Sequence, residues 1–478
     1  MQRMGRWPIA WCGAGSLIVF VALACCQSIS QMASSDAGRT GGGPMVAAEA
    51  NASEGESPPV LGGAPNPADR LGDLVRAGLF PEFVDEALRT AARRPGDPDL
   101  LYRAAEALLA AGRNLEAEHT SLRAAEATSE VPVASPGLAE QALKLWTLAR
   151  LRGGKSLTDP TADRLLARLP DCDALTALRF WRAQLGEQST YRLQSAPTPA
   201  TLELARSTAW TGLASHDIEG IPAKLNDYEV PMAFIDTGGQ HTLLSAAAAR
   251  AAGVELGPES VQFVGFASFR VRPGVLKRLT IGSLVLENVP ILAGDSAPLV
   301  AAKGQVALGV DVMHHLRFAI DYTASRVEVS PAGSQIVDYA DRPAWDISVW
   351  TFPQSLLAQG RMPDGQIARV LVDTGNCSGT YVSPRWADAN LLPASRIQGW
   401  LAERLRRPKY ELVAMELGGQ TLSSWPVLDT LPPALDKLDV VDVLAGHDLL
   451  WQYKVTIDLA HRRLRLEAGV KPESGSGR

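Results

Sequence analysis

Apolar residues change their spacing along this chain. From Arg70 to Gln194 they recur every three or four positions, as in LVRAGLFPEFVDEALRTAARR and PDLLYRAAEALLAAGRNLEAEHTSLRAAEA, which is the period of helices that bury one face. The spacing predicts an α-helical domain over residues 70–195. Beyond Thr201 the pattern becomes short runs of Val, Ile, Leu and Phe broken by Gly, Pro and Asp, which predicts an all-β region. Ahead of both, residues 25–69 are Ala, Gly, Ser and Pro with hardly a large apolar side chain, so they cannot bury a core and read as a flexible linker. Residues 471–478 read as a flexible tail.

A chain of 478 residues is long enough for two or three domains, at roughly 150 residues each. The formal net charge of -6, with both signs interspersed, offers no field that would gather nucleic acid. At the N-terminus Arg3 and Arg6 precede an apolar stretch from Trp7 to Ala24, the order of a secretory signal, so residues 1–24 predict export to the periplasm or cell envelope. Three outcomes stay open. Cleavage after Ala22-Leu23-Ala24 releases a soluble protein, lipid modification of Cys25 in VALAC makes a lipoprotein, and an uncleaved stretch makes a single-pass anchor. The last two give a membrane tether through the N-terminus. Cys12, Cys25 and Cys26 belong to this segment, and the remaining Cys172 and Cys377 make neither a disulfide framework nor a metal motif.

The β region repeats itself. FIDTGGQHTLLS at Phe234 to Ser245 answers LVDTGNCSGTYVS at Leu371 to Ser383; Asp236 and Asp373 stand 137 positions apart, and so do Gly309 and Gly446, Asp311 and Asp448, and Asp321 and Asp458. IGSLVLENVPIL and LGGQTLSSWPVL match at an offset of 136, one indel away. A constant period predicts two copies of one unit, over 200–335 and 336–470. Asp-Thr-Gly alone is weak, expected roughly 0.1 times by chance in such a chain. In register twice, each time at the end of an apolar strand, it places two aspartates on two turns where Gly238 and Gly375 allow close backbone approach.

These residues, over Ala214 to Leu466, resemble the aspartic peptidases, specifically the retropepsin-like group. The resemblance implies that each lobe supplies one Asp-Thr-Gly loop, that the apolar-apolar-Gly strands Ala307-Leu308-Gly309 and Leu444-Ala445-Gly446 pack beneath them, and that both lobes in one chain form a self-sufficient, pepsin-like pseudo-dimer. It implies an aspartic endopeptidase with Asp236 and Asp373 catalytic, Thr237 and Thr374 cross-linking the loops beside Gly238 and Gly375, a polypeptide substrate, and neither cofactor nor metal. Two carboxyls at hydrogen-bonding distance share one proton, so one serves as base and the other as acid. Where pepsin-like sequences continue with Ser or Thr, this chain has Gly239 and Asn376, which predicts an optimum less acidic than pepsin's. VQFVGFASFRVRPG predicts a substrate-binding flap in the first lobe, carrying Phe263, Gly265 near its tip and Phe266; Phe263, Phe266 and Phe269 either line apolar subsites or pack in the core. The aligned RIQGWLAERLRRPKYEL is charged and reads as helical, so one working flap is expected.

Residues 98–127 also resemble one tetratricopeptide repeat, with Ala105, Leu108, Ala117 and Ala124 at its small and apolar positions, which would offer a protein partner a docking surface. GGKS at 153–156 lacks the earlier glycine of a phosphate loop, since Ala149 stands there. The seven histidines show no metal spacing; His241 reads as loop packing, Cys377 as a small buried residue, and Asp321 and Asp458 as turn residues. The competing reading is a catalytically silent binding or assembly protein that holds a partner on the same helical and aspartic-peptidase scaffolds.

Overall fold

The computed structural model describes residues 67–130, 136–194, 198–210, 215–264, 267–294, 305–335, 343–352, 355–376, 379–384, 386, 391–393, 410–427, 429–431 and 441–468. The N-terminal apolar stretch, the linker up to residue 66, Gly265, Phe266, Cys377, the charged counterpart of the flap and the tail lie outside them.

Helices come first: α1 Pro67–Arg76, α2 Phe80–Arg93, α3 Pro98–Ala110, α4 Asn114–Glu130, α5 Pro136–Arg152, α6 Pro160–Arg168 and α7 Asp173–Leu185. Their starts are written locally. The Asp97 carboxylate accepts the Leu100 N–H ahead of α3, and Asp159 accepts those of Thr161 and Ala162 ahead of α6, each followed by a proline whose missing N–H costs nothing there. Their apolar faces continue into the β region. Phe80 and Phe83 of α2 pack on Phe352 at ring separations of 5.2 and 6.2 Å, and the buried Trp181 indole of α7 donates to the Gly274 carbonyl at 3.0 Å.

In the β region one pattern of pairing occurs in both halves. Strand Tyr228–Ile235 runs antiparallel to Ser215–Leu225 and parallel to Val306–Leu308, which in turn runs antiparallel to Leu243–Leu244. Strand Ile367–Val372 likewise runs antiparallel to Ser355–Arg361 and parallel to Val443–Ala445, itself antiparallel to Tyr381–Val382. Registers agree as well: Leu308 faces Ile235, and Ala445 faces Val372, each the last strand residue before an aspartate. Strands Leu316–Asp321 and Tyr453–Asp458 pair antiparallel, Phe318 opposite Ile457, and so join the halves in one sheet. Asp321 and Asp458 end those strands and accept from the turns that follow, from Thr323 Oγ1 and Ala324 N–H and from His461 N–H. Strand Ser260–Val264 pairs antiparallel with the start of Ala267–Ile281, Phe263 opposite Ser268. Phe269, beyond it, is half-buried against the core.

Candidate active site

Each aspartate is fixed by the strand that delivers it and the strand beneath it. Asp236 N–H donates to the Leu308 carbonyl at 2.9 Å, and Asp373 N–H to that of Ala445 at 3.0 Å. The turn after each folds back on the carboxylate. Gly238 and Gly239 N–H reach Asp236 Oδ1 at 2.9 and 3.1 Å, and Gly375 N–H reaches Asp373 Oδ1 at 2.9 Å.

The threonines lock the two loops to each other. Thr237 Oγ1 donates to the Val372 carbonyl at 2.5 Å and Thr374 Oγ1 to that of Ile235 at 2.6 Å, while each hydroxyl accepts the other threonine's N–H at 3.0 and 3.1 Å. Every one of these bonds crosses between halves. Replacing Thr374 by Val strands the Ile235 carbonyl and the Thr237 N–H in a buried place, so a loss of about 1–3 kcal/mol is expected. Urea unfolding of the full chain measures it; a midpoint equal to wild type would exclude a structural role for the lock.

The glycines let the loops close. A Cβ on Gly238 would lie 2.6 Å from Asp373 Oδ2, and one on Gly375 would lie 2.5 Å from Asp236 Oδ1 and 3.2 Å from Asp373 Oδ1. A side chain at Gly375 would therefore press on both carboxyls, and one at Gly238 on that of Asp373. These two are hydrogen-bonded to each other and only partly open to solvent. Burial pushes both upward from the usual carboxylate range, and the charge of Asp236 pushes Asp373 up further. The pair thus keeps a proton where an isolated aspartate has lost it.

Under each loop lies a second carboxylate that sequence reasoning passed over. Asp311 accepts Thr242 N–H and Oγ1–H, both at 2.8 Å; Asp448 accepts Thr380 N–H at 2.9 Å and its hydroxyl at 2.7 Å. The matched spacing of Asp311 and Asp448 was visible, but their threonine partners stand six residues after Asp236 and seven after Asp373, so a fixed offset misses them. Asp311 also accepts the Tyr191 hydroxyl at 2.8 Å, and burial raises it to about 6. The Asn376 side-chain amide donates to the Gly379 carbonyl at 2.7 Å, and it is the backbone N–H groups of Gly375 and then Asn376, not that amide, that draw Asp373 down against its burial. His241 packs on Trp181 at 5.7 Å, and burial pulls it down to about 4. Gly265 and Phe266 lie outside the described residues, so among the three flap candidates only Phe263 is placed, by its backbone pairing.

Residues 221–312, which hold the first Asp-Thr-Gly loop and Gly309, match a family model described as aspartyl protease. That match supports an aspartic-peptidase-like family for this part of the chain, whose helices precede a large β-sheet-rich region. Among solved structures the aspartic proteinase from Irpex lacteus is similar at 13% identity and a TM-score of 0.38, with 59% of this chain and 100% of that one covered. No curated protein matches the chain.

Proposed function

We propose that the protein is an aspartic endopeptidase in which two duplicated lobes contribute Asp236 and Asp373 to one site that hydrolyses peptide bonds. The observation that carries this reading is a pair of carboxyls from two separate strand ends, hydrogen-bonded to each other and framed by mutually locked threonines. Amide hydrolysis needs a base to take a proton from water and an acid to give one to the carbonyl oxygen and then to the leaving amine. A pair holding one proton supplies both, and the two titrate as a unit, so neither role is assigned to one residue. The hairpin of Ser260–Val264 and Ala267–Ile281 serves in this reading as the flap over an extended polypeptide. The apolar stretch 7–24 exports the chain to the periplasm or cell envelope, with Cys25 as a lipid anchor.

The test is incubation of the purified full chain with an unfolded protein such as casein from pH 3 to 8, with new N-termini identified. Cleavage that releases discrete peptides is expected; intact substrate at every pH would leave the scaffold reading in its place. The pH profile follows from the raised pair. Activity needs exactly one proton on it, so the rate falls on the acid side as the base is protonated and on the alkaline side as the shared proton leaves. Burial raises the second step, so kcat/KM is expected to persist above pH 5, beyond the roughly 4 at which an ordinary carboxylate titrates. A maximum near pH 2 with nothing left at pH 5 would contradict the assignment.

A further inference from the structure

Arg152, at the end of α5, is 4% exposed, and among the described residues no carboxylate pairs with it. Its guanidinium is instead ringed by neutral oxygens from three parts of the molecule. Nη1 donates to the carbonyls of Leu109 at 3.2 Å and Thr351 at 2.8 Å and to Thr351 Oγ1 at 3.1 Å; Nη2 donates to Gln240 Oε1 at 3.1 Å and the Phe352 carbonyl at 3.3 Å. Leu109 belongs to α3, and Thr351 and Phe352 to strand Ala344–Phe352 of the second half. Gln240 follows Gly239, whose N–H holds Asp236 and whose carbonyl accepts Val310 N–H at 2.8 Å. A buried cation with no counter-ion is retained at a cost, and the planar fork is what lets one side chain bind three segments at fixed angles.

We propose that Arg152 is a positioning residue through which the helical region sets how closely the two Asp-Thr-Gly loops approach. The inference rests on the peptidase reading only where it speaks of rate. The loops belong to different halves, and the threonine lock fixes their backbones at the centre of the contact; Arg152 fixes the first loop's outgoing end against the second half. Without it that end keeps its backbone bonds from Val310 and Asp311 but loses its tie to the second half; the loops then move apart, the carboxyls separate, and water enters between them. Interaction between charges falls with both distance and dielectric, so the two apparent pKa values of the pair draw together. Other titratable groups lie nearby: Lys144 and Arg152 in electrostatic reach of His241, Arg152 and His315 in reach of His314, and Glu219 and Asp373 in reach of Tyr322. Burial depresses His241 and His314 and raises the Tyr322 phenol, so none of the three carries charge near neutral pH, and Arg152 itself, pulled down to about 9, remains protonated there.

The experiment is a carboxyl-carbon NMR titration of the full chain labelled at aspartate, for wild type, Arg152→Met and Gln240→Met, with Asp236→Asn and Asp373→Asn spectra identifying the pair. In Arg152→Met the spacing between the two apparent pKa values is expected to narrow by about one unit or more, and in Gln240→Met by less. In casein hydrolysis kcat is expected to fall by about 10- to 100-fold with KM little changed, as misplacement of reacting groups produces. A folded Arg152→Met protein with the wild-type spacing overturns the proposal. If that variant does not fold, Gln240→Met decides by the same criterion. A wild type that cleaves nothing, with a spacing that narrows in the variants, would defeat the peptidase reading and leave the positioning role standing.

Discussion

Asp236→Asn and Asp373→Asn are each expected to lower casein hydrolysis by at least about 10³-fold, in the range that loss of general acid–base catalysis produces. An amide neither takes the proton of water nor returns it to the amine. In the proposed mechanism the two carboxyls share one proton, so the double variant should be no slower than either single one, the non-additivity expected of groups that act together. Stability should move the other way. A carboxyl whose folded pKa is raised stabilises the fold below its unfolded value, and that contribution is lost as pH rises through the folded value. Asparagine never ionises, so at pH 8 both variants should melt at or above the wild-type temperature. Activity lost together with a lower melting temperature would point to unfolding; additive losses would deny a shared proton.

The second large effect concerns stability of the strand that carries Asp373. Arg369 and Asp442 are 0% and 1% exposed, and Asp442 Oδ2 accepts the Arg369 N–H at 2.8 Å and Nε–H at 3.0 Å, while Oδ1 accepts Nη2–H at 3.1 Å. Arg369 lies on strand Ile367–Val372 and Asp442 immediately before Val443–Ala445, so the pair joins the strand leading to the aspartate to the one beneath it. Removing one partner, as in Asp442→Ala, leaves a guanidinium buried without its carboxylate and is expected to cost about 3–5 kcal/mol. The first half carries Met232 and Gln305 at the positions 137 residues earlier. Arg369→Met combined with Asp442→Gln imports that solution, removes both charges, and should recover most of the loss. Chemical denaturation of wild type, both single variants and the double measures the coupling. A double variant as unstable as the sum of the singles would show that the charge pair has no neutral substitute here.

Much of the site was legible because it is written in short, local patterns. Asp-Thr-Gly at a strand end, a glycine after two apolar residues, and the constant spacing between copies are all properties of neighbouring residues and of counting. The helical stretch was legible for the same reason, its apolar residues falling at helical spacing. Gln240 gave no such sign; it is one polar residue in a loop, and its partner is 88 positions away. Arg152 reads in sequence as an ordinary basic residue at the end of a helix, where the dipole favours one. Its bonds to Gln240 and Thr351 span 88 and 199 positions, and no local pattern encodes such separations.

By itself, then, the sequence determined which stretch is helical and which is rich in strands, and that Asp236 and Asp373 stand in matching motifs 137 positions apart, because periodicity and motif spacing act through the backbone over a few residues. Only the tertiary structure decided that the two carboxyls touch, that each threonine is bonded to the other half, that a Cβ at Gly238 would meet Asp373 and one at Gly375 both aspartates, and that the helices reach the first loop through Arg152. Those facts depend on packing between segments far apart in the chain, where the close approach of buried polar groups, rather than any local propensity, sets both the geometry and the protonation of the site.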